Sequence, residues 1–230
     1  MMTVRASLRL IFLTLVSHYL LTYSAVILAE GGQKTIKAPK QAIDIHFWQG
    51  LYGEGGTTIY CEKPFKRRSG LIKVSPIYHE LAVRDYLGCG SERRCLKNSN
   101  LYPYIASDLH NLYPSLSRVE LIRRSLSFAE LTGISENQKR IPDCQFKTSH
   151  VQFFEPRDGA KGDIARALFY MAYEYNLPIA TSVLTLKKWN RLDPPDEAEK
   201  ARNDKIERIQ GNRNIFIDSP ELADSLIRDY

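Results

Sequence analysis

The chain has 230 residues, and once an N-terminal export segment is set aside the remainder suffices for one well-filled core but not two. Hydrophobic residues make up 43% and charged residues 25%, close to globular averages. That excludes a disordered, collagen-like or coiled-coil chain, and no internal period marks a solenoid or propeller. The formal net charge of +6 shrinks when the basic N-terminus is removed and points only weakly to a polyanionic partner.

Arg5 and Arg9 precede an apolar run from Leu10 to Leu28 that ends in Ile27-Leu28-Ala29 before Glu30. A basic start, an apolar stretch and a small residue make residues 1–29 a secretory signal peptide, with cleavage after Ala29. Residues 30–44 begin polar and read as a tether, and Ala42 to Leu51 reads as a helix. Thr57 to Cys61 is a β-rich run entered through Gly55-Gly56. Lys66-Arg67-Arg68-Ser69-Gly70 is a basic turn, and Leu71 to Tyr78 a second strand.

Export puts the cysteines in a compartment that permits disulfides. Cys61, Cys89, Cys95 and Cys144 include no C-x-x-C pair and have no histidine close by, so a thiolate zinc site is disfavoured. Of three possible pairings, Cys89 with Cys95 closes a short loop around Ser91 to Arg94. That leaves Cys61 for Cys144, a long-range bridge worth about 4 kcal/mol in the chain-entropy model.

Farther along, Ile105, Leu109 and Leu112 fall at helical spacing until Pro114 interrupts, and Phe153 to Pro156 is a short extended segment. The clearest helix runs from about Gly162 to Asn176, with Ile164, Leu168, Met171 and Tyr175 on one face. A second starts near Thr181 and stops at Asp193-Pro194-Pro195. A third runs from about Asp196 to Gln210, acidic early and basic late. Ser219-Pro220 is expected to start a last short helix, residues 221–230 forming a tail. The predicted class is α+β, loop-rich first and helical later.

Beyond the export segment the histidines are His46, His79, His110 and His150. The zincin motif H-E-x-x-H is absent because Val83 stands four residues after His79, and neither a G-x-S-x-G elbow nor a P-loop occurs. A histidine acting without a thiol or serine nucleophile, as a base for water beside a hard metal ion, remains. Asp108-Leu109-His110-Asn111 gathers a carboxylate, an imidazole and a carboxamide, the last a hard ligand suited to magnesium or calcium.

At these residues the chain resembles the endonuclease I family, exported bacterial nucleases that are non-specific and have a ββα-metal active site. The likeness is densest in Asp108 to Ser115. It resumes in Glu155-Pro156, in Gly162 to Met171 and in Trp189-Asn190, and ends in Arg202 to Ile206 and Gln210 to Asn214. Thr58-Ile59-Tyr60-Cys61 is similar to the family's early strand. The resemblance implies a domain over residues 45–220 with a ββα-metal core. It implies His79 as general base, Asn111 as a ligand for Mg2+ or another divalent cation, and Arg93 or Arg94, inside the Cys89–Cys95 loop, as the phosphate arginine. The segment after Val119 lacks the family's usual Asn. Tyr78 occupies the position of the metal-binding Glu, and a neutral phenol is a poor magnesium ligand. Glu80 substitutes if the strand continues, since positions 78 and 80 then share a face.

The function so implied is an exported, metal-dependent endonuclease cleaving DNA, or RNA as well, without sequence preference. It is expected to be a monomer, periplasmic or secreted, with no membrane attachment after signal cleavage. Lys66, Arg67 and Arg68 are expected to hold backbone phosphates. Two alternatives stand beside it: a catalytically weakened relative that still binds nucleic acid, because of Tyr78, and a family fold recruited to another role.

Overall fold

The computed structural model describes residues 31–124, 126–132, 141, 144–149 and 152–228. The expected signal peptide and His150 lie outside the described residues.

Pro39 suits the first turn of a helix, where its missing N–H is not needed. Helix α1 starts at Pro39–Gln41 and widens into a π-helical stretch, Ala42–Leu51, closed by Tyr52 N–H donating to the Phe47 carbonyl at 3.0 Å. Phe47, Trp48 and Leu51 pack with Ile36, Ile72, Leu109, Leu112 and Ile206 into a minor core. The segment before α1 is no loose tether. Gln33 Nε2 donates to the Ile36 and Tyr104 carbonyls, and Thr35 Oγ1 to the Gln210 carbonyl.

Strands β1 (Gly56–Thr57) and β2 (Pro64–Phe65) form a small antiparallel pair. The run expected to be extended through Cys61 turns instead. Glu62 takes a left-handed φ of 52° and its N–H donates to the Thr58 carbonyl, so Ile59, Tyr60 and Cys61 point into the main core. Strand β3 (Ile72–Pro76) leads to α2 (Glu80–Tyr86), α3 (Glu92–Asn98), α4 (Tyr102–Ile105) and a 3-10 turn (Leu109–Asn111). The chain returns as β4 (Leu112–Leu116), antiparallel to β3 with Pro114 opposite Val74. Sequence periodicity gives no hint of β4. Its proline sits where no ladder N–H is needed, and its carbonyl accepts from Ile59 N–H at 2.9 Å. Helix α5 (Ser117–Arg123) follows at once and packs on both strands, giving the expected β-β-α unit.

A second small sheet has the order β5 (Ser127–Phe128), β7 (Phe153–Glu155), β6 (Lys147–Ser149), with β5 parallel and β6 antiparallel to β7. Phe154 lies stacked on Phe146 at 4.8 Å between ring centroids and meets Tyr60 edge-on at 5.0 Å. Both expected disulfides are present, Cys61–Cys144 and Cys89–Cys95.

The helical half follows the sequence closely. Helix α6 (Lys161–Tyr175) is buried on most of its surface and ends on Asn176 in the left-handed conformation. Helix α7 (Val183–Leu192) lies against it, and α8 (Glu197–Gln210) is capped by Asp196 and terminated by Gly211 at φ 87°. Ser219-Pro220 does not start the last helix. After α9 (Ile215–Asp218), helix α10 spans Leu222–Leu226, and the expected tail places Ala223 and Ile227 in the main core. Among the described residues no helix is long and apolar enough to cross a membrane.

Candidate active site

His79 stands where β3 gives way to α2. Its side chain caps the helix, Nδ1 accepting Leu81 N–H at 3.1 Å, so a neutral ring carries its proton on Nε2. Burial, then the positive charges of Arg123, Arg84 and Arg124, pull its pKa down to about 4. At pH 7 the imidazole is therefore neutral and keeps a lone pair, the state a general base requires.

Asn111 fixes the approach to His79. Its Oδ1 accepts Tyr78 N–H at 2.6 Å, its Nδ2 donates to the Tyr78 carbonyl at 3.0 Å, and its own carbonyl accepts Ile77 N–H at 2.9 Å. The side chain thus extends the β3–β4 pairing by one position. Asn111 was expected on the helix after the strand. It closes the 3-10 turn before β4 instead, because the helical run breaks after Ile105 and Asp108 starts a new turn.

Glu80, Asn111 and Tyr78 line one cavity of about 10 Å³, close to the least that holds a single water. The Tyr78 hydroxyl donates to the Pro178 carbonyl at 2.7 Å, and burial pushes its pKa up to about 12, so it offers no anionic oxygen.

A different carboxylate stands out by its hydrogen bonding. Glu120 Oε2, on α5, is buried with no hydrogen-bond partner among the described residues, as are Arg84 Nε and Arg123 Nε and Nη1. Orphaned buried polar atoms are rare and each asks for an explanation; of these residues, Arg84 and Arg123 also act electrostatically on His79. Glu120 lies against Ser75 of β3; burial raises its pKa and Arg123 opposes the rise. Arg123 Nη2 donates to the Ile77 carbonyl, with its guanidinium 4.4 Å from the Phe128 ring centroid. A carboxylate oxygen without a donor is a hard ligand. Among the described residues no three His, Cys, Asp or Glu gather to hold a metal, so a cation on Glu120 would depend on water and substrate oxygens. Glu120 opens the segment after Val119 that lacks the family's usual Asn, and the sequence does not mark Glu120 itself as a ligand.

The remaining expected site residues are the loop arginines and the basic turn. Arg93 and Arg94 are exposed in the first turn of α3, inside the Cys89–Cys95 loop. Arg84, unmentioned in the sequence reading, lies nearer to His79 in its electrostatic effect. Lys66, Arg67 and Arg68 are exposed in the turn before β3, at the far end of that strand from His79, roughly 17 Å away along an extended chain. Arg68 is engaged there, 2.8 Å from Asp44 and over the Trp48 ring.

A sequence profile described as Endonuclease I matches residues 87–221. The chain belongs to the endonuclease I family. Among its relatives, an extracellular ribonuclease of Bacillus amyloliquefaciens is 37% identical over 139 residues, covering 52% of this chain and 46% of the relative. An extracellular deoxyribonuclease of Aeromonas hydrophila is 34% identical over 134 residues, covering 56% of each chain. A periplasmic deoxyribonuclease of the same organism is 33% identical over 134 residues, covering 56% of this chain and 54% of the relative. The chain spans about half the length of the curated relatives it matches.

The profile match begins after His79, and most endonuclease I motif residues turn out to be joints of the scaffold. Asp108 is fully buried and accepts from Tyr170 Oη (2.7 Å), Tyr175 Oη (2.5 Å), Gln210 Nε2 and His110 N–H (both 2.9 Å). His110 packs behind it, with Nε2 3.2 Å from the Asn212 carbonyl. Arg166, fully buried, donates to both oxygens of Glu199 at 2.9 and 2.5 Å, to Asn190 Oδ1 at 3.2 Å and to the Asp193 carbonyl at 2.7 Å. At Gly162 a Cβ would stand 1.9 Å from that same carbonyl, so only glycine lets α6 and the end of α7 meet. Asn203 and Asn214 exchange hydrogen bonds between α8 and the start of α9.

Proposed function

We propose that the chain is an exported endonuclease hydrolysing nucleic-acid phosphodiester bonds without sequence specificity, with His79 as general base. The observation that carries the reading is a neutral, half-buried imidazole at the end of β3, surrounded by Arg84, Arg123 and Arg124. His79 would take a proton from the water that attacks phosphorus in line as the bond to the leaving 3′ oxygen breaks. For that, Nδ1 must turn from the Leu81 N–H to the water, or share its lone pair with both. The arginines suit the charge that builds on the phosphate oxygens.

Glu120 is the residue we assign to a divalent cation, which when bound would supply neutralisation of phosphate charge. Asn111, the ligand the family resemblance implies, acts in this reading by holding the Tyr78 peptide and so aiming His79. Lys66, Arg67, Arg93 and Arg94 would contribute salt-sensitive, sequence-independent attraction to the phosphate backbone. Relatives named for ribonuclease and for deoxyribonuclease activity favour a sugar-tolerant enzyme, and those named extracellular or periplasmic favour a site of action beyond the cytoplasm. A monomer agrees with this reading.

Tyr78 favours a second reading, a member of the family with weakened catalysis. Its hydroxyl is committed to Pro178, so the site has one acid fewer than the family pattern. Incubating the protein with supercoiled plasmid and with RNA, in magnesium with and without EDTA, tests both. Nicking that EDTA stops supports the active enzyme; salt-sensitive binding without cleavage supports the weakened one. Neither binding nor cleavage would exclude both.

A further inference from the structure

Beside the candidate active site runs an open groove of about 830 Å³. It lies between the end of α6, the loop into α7, and the chain leaving α10, and Tyr86 at the end of α2 borders it. Three features say what fits it. First, it presents aromatic and aliphatic side chains to solvent: Tyr86 is 45% exposed, Tyr173 37% and Leu184 66%. Phe216 braces the Tyr173 ring edge-on at 5.8 Å, which fixes its plane without covering its outer face. Second, among the described residues the groove's lining includes Arg228 and no acid, a balance that suits a polyanion and not a cationic peptide. Third, two links tie the groove to the neighbourhood of His79. The Tyr78 hydroxyl is bonded to the Pro178 carbonyl in the groove wall, and Tyr86 ends the helix that His79 caps. At about 1.5 Å per residue, that helix sets the two about 10 Å apart along its axis.

We propose that this groove is a nucleobase subsite for one unpaired strand, in which bases adjoining the scissile phosphate stack on Tyr86 and Tyr173 while Arg228 meets a neighbouring phosphate. The inference rests on the reading of His79 as the reaction centre and adds a substrate preference to it. Stacked bases in a duplex cannot reach these rings without unpairing, whereas a single strand offers a π-face at every nucleotide. The groove is therefore selective for single strands of either sugar. It also assigns Tyr78 a role, as a positioning residue that joins the groove wall to the residue before the base.

The test uses full-length His79→Ala protein, which leaves the substrate intact, with a fluorescent unpaired oligonucleotide and a hairpin duplex of the same length. Anisotropy should show tighter binding of the single strand. Tyr86→Ala and Leu184→Asp, both at exposed positions, should each weaken single-strand binding about tenfold and change duplex binding less than twofold, while Tyr86→Phe keeps the parent affinity. Equal losses for both substrates, or no loss for either, would overturn the proposal. So would sedimentation showing a dimer that Leu184→Asp dissociates, because the groove would then be an interface between copies. Failure of the underlying reading is separate: it appears as full cleavage by His79→Ala, whatever the groove variants do.

Discussion

A histidine whose pKa is pulled down to about 4 by burial and nearby arginines behaves unlike a free imidazole. As a base it stays deprotonated through the range where an ordinary histidine gains its proton. The acid limb of the cleavage rate should therefore fall near pH 4 rather than near 6.5, and a pH–rate profile checks this. His79→Ala should abolish cleavage while leaving nucleic-acid binding intact, as read by plasmid nicking alongside anisotropy. The metal ligands separate in a magnesium titration. Glu120→Gln should raise the magnesium needed for half-maximal nicking at least tenfold, and Glu80→Ala should shift it little. Tyr78→Glu should lower the requirement by restoring an acid, although it also breaks the bond to Pro178. Loss of activity in Glu80→Ala with an unchanged Glu120→Gln would reassign the ligand to Glu80.

At the scale of elements, the joints between helices decide stability. Arg166 and Glu199 tie α6 to α8 in the interior, at 2.5 Å in the shorter contact. Removing Glu199 leaves the buried Arg166 with only Asp163, at 3.2 Å, as a carboxylate partner among the described residues, against a loss of about 3–5 kcal/mol for a fully orphaned buried charge. Glu199→Ala should destabilise by that order in urea unfolding, with cleavage retained below the new transition. Arg166→Met paired with Glu199→Leu should recover only part of the loss, since Asp163 then loses the guanidinium it pairs with.

The whole molecule responds to pH and to reduction in ways that can be given a sign. His110 is fully buried, and burial lowers its pKa to about 4 despite the Asp108 charge. Between its unfolded value of about 6.5 and that value, the unfolded chain binds the extra proton. This stability contribution is complete above pH 6.5 and lost as pH falls toward 4, by about 2 kcal/mol at pH 4.5. His110→Gln should flatten that part of the stability–pH curve. The Cys61–Cys144 bridge closes an 83-residue separation and joins the turn after β1 to the edge of the second sheet. Cys61→Ala with Cys144→Ala should lower unfolding free energy by about 4 kcal/mol. Opening the Cys89–Cys95 pair, only six residues apart, should cost less, so denaturant midpoints of the two double variants rank the bridges.

The sequence by itself determined the α+β class, helices α6, α7 and α8 and the disulfide pairing. These are local or combinatorial signals: apolar residues at helical spacing, Asp196 and Gly211 at the two ends of α8, and four cysteines with one short loop among them. It also marked Asp108, His110 and Asn111 as a group without showing that Asp108 is the hub of a buried network and Asn111 a brace for Tyr78. Only the tertiary structure decided that β4 is a strand, since its proline reads as a breaker until the neighbouring edge accepts it. It likewise fastened the expected tether and tail to the body. Arg84 became visible beside His79, and Glu120 as a buried carboxyl without a donor among the described residues, only once β3, α2 and α5 had packed. A side chain's loss of water and its lack of a partner are properties of packing, and no local pattern in the chain encodes them.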